Sequence, residues 1–291
     1  MLRCAFLTLC DSTGFVIDDQ LAYAPLAALG WDVEAISWRA ACDWRTYDAV
    51  VIRSTWDYIA DPEAFLTVLS AIERAGTPLF NGLDLVRWNL RKTYLRDLAE
   101  RGVPVVPTIW RDRIRPGELP ALIDEIGSDE IVIKPVVGLN AQGVFRMNSR
   151  SQESSSAELP AYYAAREFMA QPFLTHVESE GEYSLCYFNG ELSHTILKIP
   201  KAYDFRVQEE HGGAIRAVEA GPELGAAGAT VLRALGSTPL YARADFVRAN
   251  DEAGFWLIEL ELIEPSLYLR MDAGAPERFA RALHTRRRKE Q

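Results

Sequence analysis

The sequence predicts an α/β (α+β) protein with a parallel α/β lobe at its N-terminus and an antiparallel sheet near its C-terminus. Over about the first 82 residues, short apolar runs alternate with helical patterns, which is typical of a parallel sheet. Towards the C-terminus, two strand-like runs are joined by a short polar link, which is typical of a hairpin. Because 291 residues exceed one average domain, we expect two or three lobes.

Composition and charge exclude several classes of protein. With 48% hydrophobic and 25% charged residues, the chain has the composition of a soluble globular protein with a real core. Its formal net charge of −10 argues against general binding to nucleic acids. No apolar run could span a membrane and no signal peptide is visible, so we expect a cytoplasmic protein. The cysteines and histidines lack the spacing of disulfide scaffolds or zinc sites, and a homo-oligomer is compatible with the sequence.

The N-terminal lobe contains four predicted strands that alternate with helices: 3–9, 33–37, 48–53 and 78–80. In parallel sheets, ligands bind outside the carboxyl ends of the strands. Five polar residues at or just beyond the ends of the first and third strands are therefore candidates for holding a small polar substrate: Asp11, Ser12, Arg53, Thr55 and Asp57. The alternative is that they are ordinary loop residues. No GxGxxG motif follows the first strand, so the dinucleotide-binding fingerprint is absent.

The middle of the chain combines two weak signals for nucleotide binding. A long helix is predicted over 84–101, and it carries Asn89 and Lys92 on one face. A strand over 130–137 then places Lys134 in an apolar run, where a lysine is costly without an anionic partner. The glycine-bounded loop 138–143 follows directly and can turn backbone amides towards a phosphate. A plain hairpin turn is the alternative for this loop.

The C-terminal hairpin carries the most distinctive charges. Side chains alternate along a strand, so Glu259 and Glu261 share one face, which Phe255 and Leu257 are expected to share too. Pairing the two strands would gather four charged residues on one surface: Arg243, Asp245, Glu259 and Glu261. Three carboxylates this close resist burial unless a cation lies among them, and Mg²⁺ shared with phosphates is the simplest such cation. The alternative is a half-buried strand whose acids face water.

In this order and spacing, the segments resemble the ATP-grasp superfamily of carboxylate–amine ligases, over nearly the whole chain. The resemblance implies an ATP-grasp fold with a Rossmann-like parallel N-terminal lobe, a small central lid lobe and a C-terminal antiparallel-sheet lobe. These lobes would cover 1–82, 83–174 and 175–291. The resemblance also implies ATP and Mg²⁺ as cofactors, with two ions expected and Mn²⁺ as an alternative. The partner it implies is a small amino-acid-like substrate.

The resemblance further implies roles for individual residues. The nucleotide phosphates would contact two lysines and the glycine loop: Lys92, Lys134, Gly138, Asn140 and Gly143. Adenine would bind the backbone of 171–174, which contains Gln171, Phe173 and Leu174, and the ribose would bind Glu182. The metal ligands would be Asp245, Glu259 and Glu261, although many relatives carry asparagine at the position of Glu261. Arg243 would lie near the transferred phosphoryl group. Arg206 and Lys198 would face substrate or phosphates, or else be ordinary solvated charges.

Three segments, 88–92, 204–208 and 259–266, look like the branch that includes the D-cycloserine-forming ligases. Enzymes of that type activate the carboxylate of O-ureido-D-serine and close an isoxazolidinone ring, a step in antibiotic biosynthesis. The implied activity is an ADP-forming ligation through an acyl phosphate, followed by attack of a nitrogen. Three alternatives remain at this point: an intermolecular ligase of amino acids or peptides, a catalytically silent nucleotide-binding module, and a metal-free α/β protein with a solvated edge hairpin.

Overall fold

The computed structural model describes residues 1–115, 117–148, 158–201, 206–207, 209, 212–250 and 254–289. Most of the 204–208 segment that contributed to the resemblance therefore lies outside the described residues, apart from Arg206 and Val207. The described strands form three sheets. No helix in the described ranges has both the length and the apolar character needed to cross a membrane.

The N-terminal sheet is parallel, as predicted, with the order β2-β1-β3-β4. Its strands are β1 (Leu2–Thr8), β2 (Trp31–Ser37), β3 (Ala49–Ile52) and β4 (Leu79–Phe80). Two helices pack beside it, α1 (Tyr23–Ala28) and α2 (Pro62–Arg74). The start of α2 is set by Pro62 in its first turn and by Asp61, whose carboxylate accepts a hydrogen bond from the amide of Ala64.

The single helix predicted over 84–101 is wrong. The structure has two helices, α3 (Leu83–Asn89) and α4 (Tyr94–Glu100). Asn89 is held by strand backbone, because its Nδ2 donates to the carbonyl of Leu260 at 2.8 Å and its Oδ1 accepts from the amide of Leu262 at 2.9 Å. The amide of Lys92 donates to the carbonyl of Val136 at 2.8 Å. These tertiary hydrogen bonds replace the helical ones and interrupt the helix next to Lys92.

The middle sheet is antiparallel, with the order β5-β8-β6-β7. Its strands are β5 (Ile109–Arg111), β6 (Glu130–Pro135), β7 (Phe145–Asn148) and β8 (Phe168–Pro172). Helices α5 (Glu118–Ile126) and α6 (Glu158–Tyr162) belong to this lobe. The apolar residues that made β6 predictable, Ile131 and Ile133, are fully buried, whereas Lys134 reaches the edge of a cleft.

The C-terminal sheet is antiparallel, with the order β11-β10-β9-β12-β13. Its strands are β9 (Glu182–Phe188), β10 (Glu191–Ile199), β11 (Ala214–Val218), β12 (Tyr241–Arg248) and β13 (Phe255–Glu261). Three helices complete this part of the chain: α7 (His176–Ser179), α8 (Pro222–Ala234) and α9 (Ala275–Lys289). Helix α9 returns to the N-terminal sheet, where Phe279 packs against Phe6.

A bulge in β13 corrects one expectation about the hairpin. The register pairs Asp245 with Glu259 but Phe246 with Leu257, so Ile258 is an extra residue. Upstream of the bulge the alternation of faces is therefore shifted by one residue. Phe255 and Leu257 lie in a buried cluster with Leu260. The expectation that they share the face of Glu259 is therefore wrong. The prediction that Glu259 and Glu261 lie on one face is unaffected, because both lie beyond the bulge.

Candidate active site

One cleft is bordered by residues from all three sheets and their loops. It encloses about 1470 Å³ of empty space, including its open mouth. Its lining includes Phe15 and Trp56 from the N-terminal lobe, Lys134 and the glycine loop from the middle lobe, and Asp245 from the C-terminal sheet. A cleft with convergent charged groups is the expected form of a site for a small ligand.

Asp245 lies at the centre of the charged floor of this cleft. Its side chain is 1% exposed and accepts hydrogen bonds from Ser184 Oγ at 2.5 Å and from Arg243 Nη2 at 2.9 Å. Lys198 Nζ lies 3.3 Å from Asp245 Oδ2, the same oxygen that accepts from Arg243 Nη2. Burial acts to raise the pKa of Asp245, but the charges of Arg243 and Lys198 outweigh burial and hold this pKa below its usual range. Asp245 is therefore a fixed anion on the cleft floor.

The other two acids of the hairpin each contact a different cation. Glu259 contacts Lys92 and Glu261 contacts Arg243. The pKa of Glu259 is lowered because the attraction of Lys92 exceeds the effect of burial. Glu261 behaves differently: burial, only partly opposed by Arg243 and reinforced by Glu259, raises its pKa to about 7. Burial is thus the main reason why Glu261 holds its proton more tightly than Glu259 does.

The three carboxylates fit a divalent metal ion. One oxygen from each of Asp245, Glu259 and Glu261 can be chosen so that all three lie within 4.8 Å of one another. A donor set made only of carboxylate oxygens suits a hard cation such as Mg²⁺. Burial raises the pKa of Glu261, and the positive charge of a bound divalent ion would favour its ionised form. The acids also face the cleft with their cationic partners, which argues against the alternative of a solvated edge.

The two predicted phosphate lysines differ in their partners. Lys92 contacts Glu259, and this carboxylate raises the pKa of Lys92 although burial acts in the opposite direction. Lys134 has no carboxylate oxygen within 4.0 Å among the described residues, and burial lowers its pKa. A cation that lacks an ion-pair partner on the wall of a cleft is suited to bind a phosphate. Of the two lysines, Lys134 is therefore the better placed to contact a phosphate directly.

The glycine loop lines the cleft through Gly138 and the residues up to Gln142. A side chain at Gly143 would meet the ring of Tyr162 at 2.4 Å, and this residue also has a positive φ of 69°. Asn140 has φ 52°, a conformation that asparagine adopts more easily than most residues. Gly143 is therefore required by packing and conformation, whereas Gly138 and Asn140 face the cleft.

The predicted adenine and ribose residues line the same cleft: Gln171, Phe173, Leu174 and Glu182. The amide of Phe173 donates to the carbonyl of Glu130 at 2.9 Å, whereas the amide of Leu174 donates to no residue in the described ranges. The Leu174 amide is thus available to a ligand. Glu182 contacts Lys198, and burial raises the pKa of Glu182 although Lys198 acts to lower it.

Comparison with known proteins identifies the family. The family model "D-cycloserine synthetase DcsG, N-terminal domain" matches residues 4–81, and "Prokaryotic glutathione synthetase, ATP-grasp domain" matches residues 115–238. The "Cycloserine biosynthesis protein DcsG" of Streptomyces lavendulae is 33% identical over 279 residues, which cover 89% of this chain and 90% of that protein. The chain belongs to the DcsG family of ATP-grasp ligases.

Solved structures agree with the predicted fold of this DcsG-family ligase. The crystal structure of D-cycloserine synthetase DcsG matches with a TM-score of 0.84 and 29% identity, covering 98% of this chain and 99% of that one. A D-alanine–D-alanine ligase from Bacillus anthracis matches with a TM-score of 0.70 and 15% identity over 100% of both chains, which supports the fold alone. The predicted ATP-grasp fold and the predicted class, an ADP-forming ligase that makes a C–N bond, are confirmed. The family uses ATP with a divalent metal ion.

The five predicted substrate residues of this DcsG-family ligase do not line the main cleft. Arg53 and Ser12 border a second cavity at the end of β1. Arg53 is 3% exposed, and it donates from Nε to Asp19 at 2.9 Å and from Nη2 to the carbonyl of Pro265 at 2.9 Å. Thr55 is fully buried, and Asp57 accepts from Trp38 Nε1 at 2.6 Å. Asp11 is exposed and accepts from the amide of Thr13. Their roles towards substrate remain predictions.

Sequence reasoning missed several residues that line the main cleft: Phe15, Val16, Trp56, Val207, Glu209, Ser266 and Tyr268. Phe15 packs on Trp56 with ring centroids 5.1 Å apart, and Trp56 Nε1 donates to the carbonyl of Glu264 at 2.9 Å. The available signal was a pair of aromatic residues in otherwise polar loops after strands. The predicted residues Arg206 and Lys198 also line this cleft.

Glu264 gives a testable dependence of stability on pH. Glu264 is 4% exposed and accepts a hydrogen bond from Tyr58 at 3.0 Å. Burial, reinforced by the negative charge of Glu261, raises the pKa of Glu264 from 4.5 to about 8. The folded protein thus keeps a proton that the unfolded chain releases between these two values, so this contribution to stability is lost as the pH rises through that window. Glu264→Gln should therefore gain stability relative to wild type by up to about 1.4 kcal/mol per pH unit.

The measurement is urea unfolding of the ligand-free protein at several pH values between about 5 and 8. The exposed Glu125, which pairs with Arg111, provides a matched control. Glu125→Gln should keep a constant difference from wild type across this range. A constant difference for Glu264→Gln as well would contradict the protonated state assigned to Glu264.

Proposed function

We propose that this DcsG-family ligase transfers the γ-phosphoryl group of ATP to the carboxylate of a small amino-acid-like substrate. The carboxylate oxygen attacks the γ-phosphorus, and the bond from that phosphorus to the β–γ bridging oxygen breaks to release ADP. A nitrogen of the same substrate then attacks the acyl carbon, and phosphate leaves. The best specific substrate is O-ureido-D-serine, and the relative from Streptomyces lavendulae supports this choice. Attack by the nitrogen bonded to oxygen would close the ring with loss of a proton, and hydrolysis of the carbamoyl group on that nitrogen to carbon dioxide and ammonia would give D-cycloserine.

One observation carries this proposal. Lys134, which lacks an ion-pair partner among the described residues, and the carboxylate cluster of Asp245, Glu259 and Glu261 border the same cleft. A cation for phosphate and a set of oxygen ligands for a divalent ion are the two requirements of phosphoryl transfer from a metal–ATP complex. The further cations in this cleft, Arg243 among them, add positive charge where the transferred group gains negative charge.

The nucleotide would lie with its adenine at the Leu174 amide and its ribose at Glu182, with its phosphates towards Lys92, Lys134 and the glycine loop. We propose two Mg²⁺ ions, replaceable by Mn²⁺, held by Asp245, Glu259 and Glu261. A bound divalent ion would neutralise phosphate charge and orient the γ-phosphoryl group. Cover by the 138–143 loop would exclude water, to which an acyl phosphate is unstable.

The catalytic assignments follow from position. Arg243 and Lys198 flank Asp245 on the cleft floor, so both would stabilise charge on the transferred phosphoryl group. Arg206 lies on the cleft wall and would contact the substrate or the phosphates. We also propose lobes at 1–82, 83–174 and 175–291, because each range contains one of the three sheets. The cytoplasm, which supplies ATP, is the proposed location, and no nucleic acid or membrane partner is proposed.

The test is ADP release from Mg²⁺·ATP with the purified protein. The substrates to compare are O-ureido-D-serine, its L-isomer and a panel of amino acids, alone and in pairs. ADP formed with the D-ureido compound alone, together with a cyclic product, is the expected result. ADP formed only with pairs of amino acids would replace the cyclisation by an intermolecular ligation. Firm ATP binding without ADP release from any substrate would favour the silent nucleotide-binding module.

A further inference from the structure

Tyr268 occupies a constrained position just beyond the charged hairpin. Its φ of 48° and ψ of 43° lie in the left-handed region, which bulky residues seldom adopt. It immediately precedes a short 3₁₀ helix, Leu269–Met271, and its carbonyl accepts from the amide of Met271 at 2.9 Å. A strained conformation of this kind persists only where the surroundings hold it, and it is found most often at functional sites.

Two guanidinium groups lie near the ring of Tyr268. The central carbon of Arg243 lies 5.7 Å from the ring centroid, and that of Arg270 lies 5.6 Å from it. Arg270 is itself anchored by two acids, because its Nη1 donates to Asp18 at 2.8 Å and its Nη2 donates to Glu209. The ring therefore has a fixed position that depends on three separate parts of the chain.

Tyr268 as a whole is 8% exposed, and its hydroxyl, which has no hydrogen-bond partner among the described residues, is not one of the fully buried polar atoms. Two buried tyrosines elsewhere in the protein do have partners: Tyr241 donates to two backbone carbonyls at 2.7 and 2.9 Å, and Tyr58 donates to Glu264 at 3.0 Å. Buried tyrosine hydroxyls usually find a partner. Because Tyr268 lines the main cleft, its hydroxyl is open to a ligand bound there, in exchange for water.

The charges around Tyr268 indicate which chemical group it would meet. Burial raises the pKa of its phenol, although Lys198 and Arg243 act to lower it, so the hydroxyl is protonated at neutral pH and can donate. The same two cations border the cleft beside it. A hydroxyl donor next to an arginine and a lysine suits an anionic oxygen, such as that of a carboxylate.

We propose that Tyr268 is a substrate-binding residue whose hydroxyl donates a hydrogen bond to the carboxylate oxygen of the amino-acid-like substrate. This inference rests on the proposed function and assigns that function a residue outside the nucleotide and metal ligands. The fixed ring would hold the carboxylate in one orientation towards the γ-phosphoryl group, so that an attacking oxygen is aligned before transfer. The hydrogen bond would be made to the amino-acid-like substrate and not to ATP.

The experiment compares Tyr268→Phe with wild type, using the substrate that gives ADP release in the wild-type protein. We expect kcat/KM for that substrate to fall by roughly 10- to 100-fold, as for a lost hydrogen bond to a charged group, while the affinity for Mg²⁺·ATP stays within about twofold. Tyr187 is a matched control, because its buried hydroxyl also lacks a partner but packs against Gly228, away from the cleft. Tyr187→Phe should leave both quantities unchanged.

Three results would overturn the inference. If Tyr268→Phe and wild type have the same kcat/KM within about twofold, the hydroxyl makes no useful contact with the substrate, while the proposed function stands. If the affinity of Tyr268→Phe for Mg²⁺·ATP falls as much as its kcat/KM for the substrate, Tyr268 has a structural role in the whole cleft. If wild-type protein releases no ADP with any substrate, the proposed function fails, and this inference fails with it.

Discussion

Replacing Glu259 by glutamine is expected to lower the rate of ADP release by at least roughly 100- to 1000-fold, the effect of losing a main electrostatic contact in a transition state. Glutamine keeps the shape of the side chain and an oxygen that can accept from Lys92, but it removes the negative charge. The cluster would then offer two carboxylates in place of three to a divalent ion. Because the change conserves volume, the fold should be retained.

The measurements for Glu259→Gln are ADP release over a range of Mg²⁺ concentrations and thermal unfolding without ligand. The exposed and distant Glu125 again supplies the control, since Glu125→Gln also removes one negative charge. Part of the loss should be recovered at high Mg²⁺, because a weakened site can still be filled. Turnover equal to wild type at low Mg²⁺ would remove Glu259 from the metal site.

Replacing Lys134 by methionine is expected to weaken ATP binding by roughly 10- to 100-fold, which corresponds to the loss of one charge-assisted hydrogen bond to phosphate. Methionine retains the apolar stem that packs along β6. Lys134 has no carboxylate within 4.0 Å among the described residues, so its removal leaves no buried acid there without an ion-pair partner in the ligand-free protein. Stability without ATP should therefore change little or increase.

Isothermal titration with a non-hydrolysable ATP analogue would measure this loss directly. Lys201 is exposed, so Lys201→Met is a control for the general loss of one positive charge. Lys92→Met offers a useful contrast, because it leaves Glu259 without its cation and should also lower stability. An ATP affinity unchanged in Lys134→Met would show that the phosphates lie elsewhere in the cleft.

Local sequence patterns were enough to predict the main elements around the site. The two-residue period of strands and the short link between them brought Asp245 opposite Glu259, as the register shows. A lysine in the apolar run of β6 was noticeable because burial of an unpaired lysine is costly. The parallel N-terminal sheet followed from alternating strands and helices. The resemblance to ATP-grasp ligases then supplied the family, which the comparisons confirm.

Features that depend on contacts between distant residues were not predictable from local patterns. Lys92 and Glu259 meet although they are 167 positions apart, and the helix break beside Lys92 comes from hydrogen bonds to strand backbone. The bulge at Ile258 reverses the faces of β13 upstream of the acids without any glycine or proline to mark it. Arg53, a predicted substrate residue, donates hydrogen bonds to Asp19 and to the backbone carbonyl of Pro265, which lies 212 positions away in the sequence.

The sequence by itself therefore determined the kinds of elements, the carboxylate cluster and the family of this ligase. Those properties follow from side-chain periodicity and residue type within short segments. The tertiary structure alone decided which cation neutralises which acid, which lysine has no ion-pair partner among the described residues, and that Tyr268 lines the cleft. These properties depend on distances and burial, which are set when the three sheets pack together and which no short segment encodes.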